Sequence, residues 1–420
     1  NYTHMTQKNT SQHSPVALIG GGLTTQVMAL SLMHSGFDFI WFSGKQNNQT
    51  ETKDTRTTTI HHAGRVMLDA LGVWNILPEP GCPITKIAVA SAQQPADKNR
   101  GRSKDWPLIW EQADPPMAWV VSNQGLETAL KTKINIQLSK QQIQPVSIET
   151  VTISQPNLLR DSTGKSWSCD LVIACDGANS LLRKQAGFNV IDQSRNETAL
   201  VTSVQTELPI GTIAYQRFLP SGPLALMPIS TKTASIVWSL PNSQAEALTR
   251  QDKNSFEDTL NAAFGNYLGR LTPASTLLTW PLKPHFCPRI SKPGFILAGD
   301  AGHALHPLAG MGFNLALADV AVLLDCLQNA ACKGLTPSHA SVAIDYESRR
   351  KPEILAFTLA TQGLNTLLTR KSGPLYQMAS FGMSLLGQVP AKRFLSDLAM
   401  GGWLASAPLF SGHLRGSDSI

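Results

Sequence analysis

Apolar residues in this chain fall in short runs that glycine interrupts, and the first two runs guide the reading of the rest. Val16-Ala17-Leu18-Ile19 stops at Gly20-Gly21-Gly22, a mostly apolar stretch of helical length follows, and after Gly36 comes Phe39-Ile40-Trp41-Phe42. The window 16–42 is long enough to cross a bilayer and holds only His34 and Asp38 as ionisable groups. Its glycines argue otherwise. The punctuation reads strand, tight turn, helix, turn, strand, a parallel βαβ unit whose strands are apolar on both faces, so a buried core is expected and not a membrane span.

Similar buried-strand runs occur at 171–175 and 295–298. Strand-like alternation fills 149–175 around the turn Asp161-Ser162-Thr163-Gly164, and again 198–241, broken at Gly211 and at Pro220-Ser221-Gly222-Pro223. Helical spacing is expected over 63–77, from Gly312 to about 327, and beyond 338, with breaks near Gly373, Gly387 and Gly401. Residues 44–59 and 93–116 read as loops, and no internal repeat is visible.

At 420 residues, the chain has room for two to three domains of roughly 150 residues each. A composition 42% hydrophobic and only 15% charged excludes a disordered chain. Lys+Arg 35 against Asp+Glu 29 leaves a net charge of +6, spread along the sequence. The one basic run, 98–104, has no aromatic interleaved to stack a base, so it reads as a solvated loop and no nucleic-acid partner is expected. Six cysteines without a CxxC pair read as reduced thiols, and His303 with His306 lacks a third metal ligand. Residues 1–15 carry neither an apolar core nor an arginine-rich pattern, so the expected location is cytoplasmic.

The candidate chemistry sits in the turns. Gly20-Gly21-Gly22-Leu23-Thr24-Thr25 closes a strand and opens a helix, where backbone N–H groups can hold a pyrophosphate. It departs from G-x-G-x-x-G at Thr25, and the ribose-binding acid expected about 20 residues on is replaced by Ser43. The segment 299–315 again joins a buried strand to a helix. A carboxylate at such a strand end, Asp300, can accept hydrogen bonds from a polyol, and the helix start near Gly312 offers N–H groups to a negative charge.

That second segment resembles the GD motif of the class A flavoprotein monooxygenases, the p-hydroxybenzoate hydroxylase superfamily. Cys175-Asp176-Gly177-Ala178-Asn179-Ser180-Leu181-Leu182-Arg183 is similar to the DG motif of the same family. Asp54-Thr55-Arg56-Thr57-Thr58-Thr59, followed by Leu71-Gly72-Val73-Trp74, resembles the segment that brings an arginine to the FAD. The likeness is nearest to the ubiquinone-biosynthesis hydroxylases, through these pieces, Asn123 with Leu126, Arg217-Phe218, Gly222-Pro223-Leu224-Ala225-Leu226-Met227-Pro228 and His306-Pro307-Leu308-Ala309-Gly310. It spans about 16–412.

The resemblance implies an α/β fold with a discontinuous, Rossmann-like FAD-binding domain (14–85, 119–187 and 285–370), a sheet-rich substrate domain (86–118 and 188–284) and a helical C-terminal segment (371–420). It implies that Gly20, Gly22, Leu23 and Thr24 approach the FAD pyrophosphate, that Arg56 and Asn123 lie along the ADP-ribityl arm, and that Asp176 and Gly177 support the pyrophosphate region. Asp300 would hold the ribityl chain, and Pro307, Gly310, Met311, Gly312 and Asn314 would line the isoalloxazine. The family usually has Gln at Met311 and Ala at Gly302; with Thr25 and Ser43, these departures lead to an expectation of weaker FAD retention.

The implied reaction is hydroxylation of a polyprenylated phenol by O2 through a flavin C4a-hydroperoxide, with transient NADPH or a ferredoxin-type electron donor, since only one glycine-rich fingerprint exists. No side chain stands out as acid or base. A ubiquinone-biosynthesis complex and peripheral membrane contact through the apolar stretch 375–410 are expected partners. The alternative is a non-catalytic structural member of such a complex, suggested by Thr25 and Ser43.

Overall fold

The computed structural model describes residues 12–43, 54–90, 106, 108–141, 151–155, 157–307, 310, 312–368 and 407–413. The basic run 98–104, Met311 and most of the apolar stretch 375–410 lie outside the described residues.

The first apolar runs form the expected unit: strand Gln12–Ile19, helix Leu23–His34 and strand Phe39–Phe42, the two strands paired in parallel. Because both faces are covered, Val16, Ala17 and Leu18 have no exposed surface, and the helix is buried through almost its whole length. The strand Ser166–Ala174 joins on the other side of Gln12–Ile19, and Phe295–Leu297 pairs with it in turn, all parallel. The hairpin Val151–Gln155 and Leu158–Asp161 extends this sheet antiparallel.

The region 198–241 builds four long strands, Glu197–Thr206, Ile213–Leu219, Gly222–Ser230 and Thr233–Pro241, at the centre of an eight-stranded sheet. Lys86–Ala90 and Leu108–Glu111 add to it, so a strand lies inside what the sequence suggested was a loop over 93–116. Its outer face is closed by two helices absent from the sequence reading, Asn242–Thr249 and Lys253–Phe264, the second capped by Asp252. A three-stranded sheet, Thr57–His61, Ala118–Ser122 and Cys82–Ile84, packs against the inner face through Ile84, Ala118 and Val120 on Ala214, Ala225 and Met227.

The helix expected over 63–77 is shorter. It runs His62–Ala70 and a single 3-10 turn follows at Trp74–Ile76, because Gly72 turns into the left-handed region (φ 69°) and ends the α-helix. Among the described residues one helix, Gly312–Ala331, is long and apolar enough to cross a membrane, and 89% of that stretch is buried inside the protein.

His61 caps the helix that follows it: its Nδ1 accepts from the Gly64 N–H at 2.8 Å, which leaves the proton on Nε2. The ring is 1% exposed, and burial, with His62 beside it, lowers its pKa from 6.5 to about 4. A base whose folded pKa is lowered binds its proton more readily in the unfolded chain. Stability is therefore full above 6.5 and falls as pH drops toward 4, by about 3 kcal/mol for this group. Urea unfolding across that window is expected to flatten by this amount in His61→Asn, which keeps the cap without the titration; an unchanged pH slope contradicts the assignment.

Candidate active site

Three parallel strands end side by side. Ile19 is in register with Ala174, and Ala174 with Leu297, so the three turns that follow, 20–22, 176–177 and 299–300, emerge along one edge. This is the carboxyl edge at which open α/β sheets bind ligands. The first turn is pinned by Gly20 N–H to the Phe42 carbonyl at 3.0 Å and by the Trp41 indole to the Gly20 carbonyl at 2.9 Å. Gly20 (φ 138°) lies so close to its neighbours that a Cβ would overlap the Cys175 carbonyl and the Thr25 hydroxyl.

Thr25 is accommodated by that missing side chain. Its hydroxyl donates to the Cys175 carbonyl at 3.2 Å, tying the helix start to the second turn. The helix Leu23–His34 starts at Gly22 with no side-chain cap and no acid in its first turn, leaving its leading N–H groups to the cavity.

A cavity of about 600 Å³ opens at this edge. Of the residues singled out from the sequence, Gly22, Leu23, Thr24, Arg56, Asn123, Gly177, Asp300, Pro307, Gly310 and Gly312 line it. Arg56 and Asn123 meet because their strands pair: Asn123 N–H bonds the Arg56 carbonyl at 3.0 Å, and the Thr58 hydroxyl donates to Asn123 Oδ1 at 2.6 Å. The Arg56 guanidinium is held by Asp54 at 2.8–2.9 Å and lies 4.9 Å from the exposed Trp280 ring.

Three expected site residues stand back from the cavity lining. Gly20 acts by packing. Asp176 turns one carboxylate oxygen toward the Leu182 N–H at 3.5 Å, and its other oxygen is buried without a partner among the described residues. Asn314 is 1% exposed and braces the turn: Oδ1 accepts from the His61 N–H at 3.0 Å, while Nδ2 donates to the Thr59 and Gly310 carbonyls at 2.8 and 3.3 Å. Gly310 (φ 65°) meets Thr59 so closely that a Cβ would stand 2.8 Å from it.

Behind the third turn lies a charged cluster that the sequence reading missed. Asp319 and Arg350 have no exposed side-chain surface. Asp319 accepts from Gly299 N–H, His303 Nε2 and Arg350 Nε, each at 2.7 Å, and Arg350 also donates to the Leu315 carbonyl at 3.1 Å and pairs with Glu353. Burial alone would raise the Asp319 carboxyl; His303 and Arg350 outweigh it and hold it below the usual range. Arg183, at the end of the second motif, donates to the Ala178 and Ala301 carbonyls at 2.8 and 2.7 Å and so bolts the second turn to the third. The available signal was two aspartates, Asp319 and Asp325, inside the mostly apolar helix Gly312–Ala331.

Asp300 itself opens onto the cavity, yet the surrounding crowding raises its carboxyl pKa, with His303 and His285 pulling the other way. The set fits an FAD. A Cβ at Gly22 or Gly312 would meet nothing within 4 Å, leaving ligand space beside two helix starts, and Asp300 supplies an acceptor between them.

Removing Arg350 strands Asp319 in the core. Arg350→Met is expected to lower the unfolding free energy by about 3–5 kcal/mol in urea titrations; a loss under about 1 kcal/mol contradicts the role given to this pair.

The chain matches the family model described as "FAD binding domain" over residues 13–353. It is 27% identical to ubiquinone hydroxylase UbiL of Rhodospirillum rubrum, covering 92% of this chain and 89% of that one. It is likewise 27% identical to 3-demethoxyubiquinol 3-hydroxylase of Escherichia coli, over 81% and 86% of the two chains. Among solved structures, p-nitrophenol 4-monooxygenase PnpA from Pseudomonas putida aligns with a TM-score of 0.73 at 16% identity, over 94% and 98%, and PqsL from P. aeruginosa with 0.70 at 18%, over 88% and 99%. The fold is theirs, and by its family model this chain belongs to the FAD-binding domain family.

Proposed function

We propose that this protein is an FAD-dependent monooxygenase that hydroxylates the aromatic ring of a polyprenylated phenol in ubiquinone biosynthesis. The observation that carries the reading is one cavity with two kinds of wall. One is made of glycine turns, helix starts and Asp300; facing it are the apolar side chains Ala225, Met227 and Val237 of the large sheet. The names of the relatives support the substrate class, and no observation favours the structural-subunit alternative.

When bound, FAD supplies the activation of O2 and the transfer of one oxygen atom to the ring. The chain's own residues bind and orient. N–H groups at Leu23 and Thr24 would take the diphosphate, Arg56 and Asn123 the adjoining arm, and Asp300 the ribityl hydroxyls. Pro307, Gly310 and Gly312, which line the cavity, would flank the ring system, with Asn314 bracing the turn from behind. Ala225, Met227, Val237 and Phe313 exclude water from the reacting face.

The proposal includes the division into an FAD domain (14–85, 119–187, 285–370), a substrate domain (86–118, 188–284) and a C-terminal segment (371–420). It also includes NADPH or a ferredoxin-type reductant, assembly with other ubiquinone-biosynthesis proteins, and peripheral membrane contact. The last is supported by Ile344 and Leu359, which are 65% and 61% exposed on the helix Ala340–Leu368.

Purified protein given FAD, a reductant, a short-chain prenylated phenol and isotopically labelled O2 is expected to yield a dihydroxylated ring carrying one labelled oxygen. Flavin uptake with no labelled product would overturn the reaction assignment. Ser43 stands where the fingerprint has an acid, so Ser43→Glu is expected to tighten FAD binding roughly tenfold by adding a charge-assisted bond to ribose; unchanged affinity in a flavin titration contradicts that reading of the position.

A further inference from the structure

The face of the large sheet that overlooks the cavity carries polar atoms with nothing to bond. Register places Gln216 opposite Ala225 and beside Val89, Ala225 opposite Val237, and Ser235 opposite Met227; Trp110 lies opposite Ile87, which is beside Ala214. Residues so paired project from one face, so Gln216, Trp110 and Ser235 share the face of the cavity-lining Ala225, Met227 and Val237. Gln216 Oε1, Trp110 Nε1 and Ser235 Oγ are each buried without a hydrogen-bond partner among the described residues.

Gln216 is the most informative of the three. It is 8% exposed, its row neighbours Val89, Ala225 and Val237 are apolar, and the next positions along the face are Phe218 and Pro223. A buried amide carbonyl left open by its described neighbours is costly unless a ligand completes it. Ala225, directly across, lines the cavity, with Met227 and Phe218 at the next positions of the same face along the strands.

We propose that Gln216 is the residue that reads the substrate's ring hydroxyl: its side-chain carbonyl accepts the phenolic O–H and sets which ring position faces the cofactor. This rests on the phenol reading above and adds to it a specificity-determining contact. A site built to bond one hydroxyl rejects the analogue that lacks it, because the amide is then left unpaired.

The test uses the FAD-loaded protein, with 2-geranylphenol and its methyl ether as probes and binding read from the perturbed flavin spectrum. Wild type is expected to bind the phenol about five- to tenfold more tightly than the ether. Gln216→Met is expected to bind both at the ether's affinity with its FAD affinity unchanged, and Gln216→Glu, which keeps an acceptor, to restore the preference. Equal binding of phenol and ether by wild type overturns the proposal without recourse to any variant. A preference that survives in FAD-loaded Gln216→Met overturns it as well. Wild type that takes FAD but binds neither ring overturns instead the phenol reading on which it stands.

Discussion

Close approach of backbone to backbone at the ends of three parallel strands is the constraint on which the site depends. Ile19, Ala174 and Leu297 finish in register, and the turns that leave them have to pass one another with almost no space between. Gly20 against Cys175 and Gly310 against Thr59 each leave no room for a Cβ. The reward for that crowding is a row of backbone N–H groups and one carboxylate facing the same space, fixed in place before any ligand arrives.

Such turns need support from behind, and the support is electrostatic. Asp319 draws Gly299, His303 and Arg350 onto its two oxygens in a fully buried position, joining the third strand end to the two long C-terminal helices. Arg183 does the equivalent across the second and third turns, and Asn314 between the strand Thr57–His61 and the turn at Gly310. Buried ion pairs gain little net stability over apolar packing, but each fixes one geometry and makes departures from it expensive. That suits a site whose task is to hold a cofactor and a ring in fixed relation.

The parts legible in the sequence were those whose signal is local. The βαβ unit showed itself because two apolar runs and their glycines lie within 27 residues of one another, 16–42, and the third turn because glycine, aspartate and a helix start follow in order. The supporting cluster was not legible, since Asp319 and Arg350 are distant in the chain and each, taken alone, resembles an ordinary surface charge. The family resemblance implied Asn314 as a wall residue, whereas the helical turn points it back at Thr59 and His61. The helices Asn242–Thr249 and Lys253–Phe264 were hidden by an expectation of sheet, although Asp252 ahead of Ser255 carried a capping signal. Thr25, where the sequence departs from the fingerprint, bonds the Cys175 carbonyl 150 residues away, a contact that no local pattern announces.

The central claim is that the ring system of FAD lies against the turn from Pro307 to Gly312, with its sugar-alcohol chain on Asp300 and its diphosphate at the start of the helix Leu23–His34. A crystal structure of the protein soaked with FAD tests this most directly. The account predicts electron density for the flavin along those three elements, with Asp300 within hydrogen-bond distance of the ribityl oxygens and the ring facing Ala225 and Val237. Density for FAD elsewhere, or a cleft closed by side chains in the presence of saturating FAD, would contradict it.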